Sequence, residues 1–318
     1  MFQLIVLIVL ASFILINDLL IPFIISIIVG KILFDKHLVR HNQEEWARGK
    51  CSEPDDYEQM MMWNEGLKWA EDNKKYMSEE MVISEGNHLF GEYYNFNKSR
   101  TVIIMPGRRE TLQYSYFYAP VYKDLGFNVL VVDKRAHGLS DGVYEDGGQH
   151  TYVDLFEWAN LLKDKYNIND VTLHGICIGS ESCIHAYANE NCPSNITKMV
   201  ADGMYINFRE TFKNHMKKDR RTIFPNLQFT MLWAKHYTKA DFSHNGPIKQ
   251  IKKVHKPILL LYSELDVFST PEQAKALYEK CPSEHKKLVF FKKGRHSHVL
   301  YNNKEQYRAE IKAFLDEL

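Results

Sequence analysis

Cys177 lies in Gly175-Ile176-Cys177-Ile178-Gly179, after an apolar run over 169–173 and before a stretch that reads as a helix over 180–189. Strand, sharp turn and helix form the setting of a nucleophile elbow, with glycines where a Cβ would clash. A thiolate there is intrinsically more nucleophilic than a neutral hydroxyl. The positive end of the following helix would favour that thiolate. The Ile178 N–H would point at the oxyanion formed when sulfur attacks a carbonyl. The alternative is a buried structural cysteine, since free Cys is among the most buried residue types. Two further groups weigh against it. Asp266 follows the next strand but one, and His296 follows the last, giving the order nucleophile, acid, histidine along the chain. Glu264 and His298 are near neighbours that could substitute for them. His137, His174 and His185 read as structural or packing residues.

The elements that must position these groups alternate between strand and helix. Residues 81–84 and 88–95 read as a hairpin around Glu85-Gly86-Asn87. Continuous apolar runs over 101–105 and 128–132 have the pattern of buried parallel strands. Further strands are expected over 198–201, 257–262 and 287–291. Helices are expected over 114–125, 152–166, 273–280 and 304–318. The alternation predicts a mostly parallel eight-stranded sheet covered by helices on both faces, with working residues at the carboxyl ends of the strands.

From about residue 81 onward the chain resembles an α/β-hydrolase. More narrowly, it is similar to bacterial membrane-anchored hydrolases with a small cap, related to serine aminopeptidase-like and acylglycerol-lipase-like proteins. The resemblance is carried by several motifs: Pro106-Gly107-Arg108, Asp133-x-Arg135-x-His137-Gly138-x-Ser140, the elbow His174-Gly175-x-Cys177-x-Gly179, the stretch 257–266, and Gly294-x-His296 with Tyr307 and Phe314. Two departures stand out. Cys177 replaces the usual serine, an exchange also seen in dienelactone hydrolases, polyester synthases and bile-acid acyltransferases. Pro106 replaces the family's His before the oxyanion glycine. The resemblance implies Cys177 as nucleophile, His296 as base, Asp266 as the acid that orients it, and the N–H groups of Arg108 and Ile178 as the oxyanion hole. Ester or thioester cleavage through a thioester acyl-enzyme follows, with no metal or organic cofactor. Acyl transfer to another acceptor and an inactive, membrane-tethered binding protein are the alternatives. Arg108 and Arg109 either bind a carboxylate or phosphate on the substrate or are solvated loop cations.

Residues 1–34 are almost wholly apolar, longer than the roughly 20 residues a spanning helix needs. They read as a retained anchor, with Asn17-Asp18 and Pro22 permitting a kinked helix or a shallow hairpin. Lys31, Lys36, Arg40, Arg48 and Lys50 follow it, so the positive-inside rule places the rest in the cytoplasm of a single-pass cell-membrane protein. Residues 35–80 read as a helical linker, amphipathic over 42–75 with Pro54 in a first turn. Its Met60-Met61-Met62-Trp63 and Trp69 either pack on the domain or face a membrane or acyl chain. Residues 81–318 form the hydrolase domain. A cap insertion over 205–250 carries Phe208, Phe212, Phe224, Phe229, Leu232, Trp233 and Tyr237, which suggest an acyl pocket or an ordinary amphipathic cap. A basic cluster runs from Lys213 to Arg221. The membrane location points weakly to a lipid-like or acyl substrate.

Forty Lys and Arg balance forty Asp and Glu, so nothing suggests nucleic acid. The five cysteines lack close metal-ligand spacing, as expected of a reducing compartment rather than a disulfide framework.

Overall fold

A computed structural model describes residues 2–317. At its centre is an eight-stranded sheet in the order β1-β2-β4-β3-β5-β6-β7-β8. The strands are β1 (Met77–Ser84), β2 (Asn87–Tyr94), β3 (Arg100–Met105), β4 (Asn128–Val132), β5 (Asp170–Ile176), β6 (Ile196–Asp202), β7 (Ile258–Ser263) and β8 (Lys286–Phe291). The β1–β2 and β2–β4 pairs are antiparallel and the other five are parallel. The central strands β3 to β7 are apolar on both faces because helices cover both. Thus Ile103 packs into one core layer, and Val102 and Ile104 into the other.

The N-terminal run is one continuous helix: α1 (Phe2–Ile14), a π-helical stretch Leu15–Leu20, and α2 (Ile21–Leu38). The wider turn falls at Asn17-Asp18, and Asn17 Nδ2 donates to the Phe13 carbonyl at 2.9 Å. The chain does not reverse there. The whole span is long and apolar enough to cross a membrane.

The chain next forms α3 (Tyr57–Asn73), α4 (Leu112–Ser115), α5 (Ala119–Asp124), α6 (Val153–Tyr166) and α7 (Ile178–Tyr187). The cap follows with α8 (Phe208–Lys218), α9 (Asn226–Thr238) and α10 (Pro247–Gln250). Last come α11 (Pro271–Lys280), α12 (Val299–Asn302) and α13 (Lys304–Asp316). The helix expected over 114–125 is two short ones. Pro120 lies in the first turn of the second, where its missing N–H costs nothing, but it could not continue a helix from before.

Residues 35–80 are integrated into the fold rather than linking two parts. Helix α2 runs on to Leu38, and the helix expected over 42–75 begins only at Tyr57, with Asp56 accepting from the Gln59 N–H as its cap. Pro54 lies in the turn before it. Arg40 is buried and donates to the carbonyls of Gly138 and Ser140. Met62 and Trp63 are buried, Met62 in the core layer of α5 and α13, so the packing reading of α3 holds.

The inner half of the apolar helix is also part of the fold. Leu33, Phe34 and Leu38 are buried with Phe208, Phe212 and Leu227 of the cap. A Cβ on Gly30 would lie 2.5 Å from that of Phe229, which lets α2 and α9 approach closely. Cap aromatics pack against this helix: Phe229 lies edge-on to Phe23 and Tyr237 stacks on Phe34, while Phe224 and Leu232 are exposed and Phe229, Leu232 and Trp233 line an open apolar cleft with Ile27.

Candidate active site

Cys177 has φ 53° and ψ −115°, a conformation an L-residue keeps only when its surroundings enforce it. They do so here through the flanking glycines. A Cβ on Gly175 would lie 2.4 Å from Ser180 Cα, and one on Gly179 would lie 2.3 Å from the Met105 carbonyl oxygen and 2.6 Å from that of Pro106. Gly179 thus presses the elbow against the main chain of Met105 and Pro106 at the end of β3. Ile178 opens α7, where the first N–H groups lack intrahelical acceptors. The Cys177 N–H itself is tied to the Asp202 carbonyl at 2.9 Å.

His296 Nδ1 is 2.6 Å from Asp266 Oδ2. Asp266 Oδ1 accepts from the N–H groups of Phe268 and Ser269 at 2.8 and 2.9 Å, fixing the carboxylate. Gly203, at φ +61°, lies under the imidazole: a Cβ there would be 3.2 Å from His296 Cε1. Burial opposes a charge on His296, but the Asp266 carboxylate and then Cys177 outweigh it and hold the imidazole well above its usual range. Even so, among the described residues buried Nε2 has no hydrogen bond of regular geometry.

Cys177, His296 and Arg108 line one pocket of about 170 Å³, together with Glu110, His215 and Phe268. Phe268 meets His296 edge-on at 5.5 Å, and His215 stacks on Phe268 at 3.7 Å. Burial, then Arg108, pushes the His215 imidazole down to about 2, so it is neutral.

Geometry separates the near neighbours. Glu264 is exposed, whereas Asp266 bonds the imidazole. His298 lines the same pocket, but its Nδ1 is engaged by the His296 carbonyl at 2.7 Å and burial lowers its proton affinity. His137 is buried and stacks on Trp46. His174 is buried between the hydroxyls of Tyr122 and Tyr307. His185 lies on α7, 3.9 Å from Glu181. Arg109 lies in a separate cleft with Asp35 and Lys36. Cys183 and Cys281 are buried, and burial raises both thiols. No cluster of metal-ligating side chains occurs among the described residues.

Three groups escaped the sequence reading. Asp202 ends β6 fully buried, accepts from Tyr307 Oη at 2.8 Å, and is pushed up to about 7 by burial. Its place at a strand's carboxyl end was the available signal. Glu110 accepts from the Gly107 N–H at 2.8 Å and is also pushed up to about 7 by burial. It braces the loop that carries Arg108. His37, at the end of α2, meets Arg108 Nη1 through Nδ1 at 2.7 Å. Nothing in the sequence pairs two residues so far apart.

Among curated proteins, the chain is 28% identical to the uncharacterised Bacillus subtilis protein YqkD, over 69% of this chain and 72% of that one. It is 22% identical to the Xenopus laevis α/β-hydrolase domain-containing protein 17C, over 66% of this chain and 62% of that one. An uncharacterised membrane protein of Saccharomyces cerevisiae is 22% identical, over 70% and 74%. No family model matches. Among solved structures, the Pyrococcus furiosus esterase Pf2001 superposes with a TM-score of 0.66 at 21% identity, over 78% of this chain and 93% of that one. The α/β-hydrolase GrgF from Penicillium sp. sh18 gives 0.62 at 17% identity, over 76% and 98%. The fold is that of the α/β-hydrolases.

Proposed function

We propose that the protein is a membrane-anchored hydrolase that cleaves an ester or thioester with Cys177 as nucleophile. The observation that carries this reading is the Asp266–His296 bond, which holds the imidazole in the same pocket as the strained Cys177. Asp266 fixes the tautomer and favours the charged ring, so His296 takes and keeps the thiol proton. The thiolate adds to the substrate carbonyl, and the N–H groups of Ile178 and Arg108 receive the developing oxyanion. One such donor is worth about 3–4 kcal/mol in transition-state stabilisation. His296 then protonates the leaving group, which departs as the thioester acyl-enzyme forms. In the second half, His296 takes a proton from water, the resulting hydroxide attacks the thioester, and Cys177 is released with the acid product.

The membrane part rests on the N-terminal helix. Residues 2–25 precede the part buried in the fold and extend roughly 36 Å at 1.5 Å per residue, enough for a hydrocarbon core of about 30 Å. Because α9 packs on the next turns, the cap would sit at the membrane surface, with exposed Phe224 and Leu232 available to the interface. Lys31, Lys36, Arg40, Arg48 and Lys50 favour a cytoplasmic catalytic domain.

The test is turnover of a panel of short and long acyl esters and thioesters by the detergent-solubilised full chain and by Cys177→Ala and His296→Ala. Turnover by wild type and loss of at least about 10³-fold in both variants supports the reading. Equal turnover by wild type and Cys177→Ala removes it.

A further inference from the structure

Arg108 contributes more to this pocket than a backbone N–H. Its guanidinium lines the cavity with Cys177, and burial lowers its hold on the proton, with Cys177 the strongest influence opposing that. A guanidinium taken out of water is ordinarily matched by a carboxylate or by several carbonyls. Among the described residues, the Arg108 side chain has one polar partner, His37 Nδ1 at 2.7 Å. A guanidinium only donates, so that nitrogen accepts and His37 is neutral. His37 is held in turn by the edge of Phe212, at 5.1 Å. The N-terminal helix therefore positions a half-buried cation in the nucleophile's pocket, and among the described residues no carboxylate hydrogen-bonds to it.

Of the other charges of the pocket, exposed Glu53 attracts Arg108 through space but makes no hydrogen bond or ion pair with it. The Glu110 carboxyl is occupied by the Gly107 N–H and by Gln59 Nε2. Arg295 is paired with Asp56. Lys218 lies at the exposed rim with its ammonium 4.9 Å from the centre of the Phe268 ring. Beside His296 the wall is aromatic, formed by Phe268 and neutral His215. One side of the cavity thus suits an apolar group and the other an anion.

We propose that the Arg108 guanidinium, positioned by His37, binds an anionic group, a carboxylate or a phosphate, carried by the substrate close to its scissile carbonyl, with Lys218 drawing the anion in at the rim. This rests on the reading of Cys177 as the reactive thiol but not on ester hydrolysis.

Two alkylating agents of similar size, one charged and one not, test it: anionic iodoacetate and neutral iodoacetamide. The rate ratio at Cys177 in the full chain, followed by peptide mass spectrometry, is compared with the ratio for 2-mercaptoethanol. The expected result is an iodoacetate preference about tenfold above the reference, reduced by added sodium chloride. It collapses toward the reference in Arg108→Gln and falls partway in His37→Ala. A wild-type ratio equal to the reference overturns the proposal, as does an unchanged ratio in a folded Arg108→Gln. Should that variant fail to fold, wild type still decides: inorganic phosphate or acetate at matched ionic strength should protect Cys177. Stronger protection by phosphate assigns a phosphate and stronger protection by acetate a carboxylate, while protection by neither overturns the site. An elevated ratio in a protein that cleaves no ester keeps the anion site and removes the hydrolase reading. Ester cleavage through Cys177 with a reference-like ratio does the reverse.

Discussion

Trp233 Nε1 donates to the main-chain carbonyl oxygen of Ile27 at 3.1 Å, across the contact between the cap helix and the apolar N-terminal helix. A carbonyl inside a helix is already an acceptor for its own ladder, so this bond ties the two helices directly. It places the apolar helix and the cap in one packed unit that ends at His37, beside Arg108.

Gly30→Leu should separate that unit. The new Cβ would meet Phe229 Cβ at 2.5 Å and the Phe229 and Thr230 backbone at 2.9 Å, which a rigid helix cannot relieve by moving one side chain. The expected cost exceeds about 2 kcal/mol. Limited proteolysis should show faster cleavage in the loop between α8 and α9 than in wild type. An unchanged cleavage rate would contradict the packing described.

Asp266→Asn should reduce turnover by about 10³- to 10⁴-fold, because an amide no longer fixes the productive tautomer or stabilises the charged ring. Glu264→Gln should change it by less than about twofold, since an exposed residue outside the hydrogen-bond chain falls among near-neutral surface changes. Steady-state kinetics on one active ester decides between them. A severe loss in Glu264→Gln with a mild one in Asp266→Asn would reverse the assignment.

Asp202→Asn should stabilise the protein at pH 8 and change little at pH 4. Burial raises the Asp202 carboxyl from an ordinary 3.8 to about 7 in the folded chain. Between those values the unfolded chain has released the proton and the folded chain retains it. Stability is therefore complete below 3.8 and declines as pH rises toward 7. The loss is at most about 4 kcal/mol. Asparagine removes this penalty and still offers an oxygen to the Tyr307 hydroxyl. Thermal unfolding in detergent at the two pH values measures the difference. An equal gain at both would contradict the assigned protonation.

Much of the frame was legible in the sequence because buried parallel strands leave an unmistakable apolar record, as in Val102-Ile103-Ile104 and Val129 to Val132. The elbow was legible for a similar reason: only glycine fits at 175 and 179. The break at Pro120 was a local signal that the apolar spacing over 114–125 concealed, whereas the late start at Tyr57 was decided by tertiary contacts. Arg40 holds residues near it in an irregular path by donating to the carbonyls of Gly138 and Ser140, a choice invisible to local periodicity. The cap aromatics announced an apolar surface but not its occupant, which is α2. Asp202, Glu110 and His37 gained their roles through partners brought together only by folding.

The most direct test is to quench the full chain within milliseconds of mixing with an activated ester and locate the acyl group by peptide mass spectrometry. The expected result is one acyl adduct on the peptide containing Cys177, released by neutral hydroxylamine as a thioester should be and lost in Cys177→Ala. An acyl group on another residue, or continued turnover by Cys177→Ala, would contradict the mechanism.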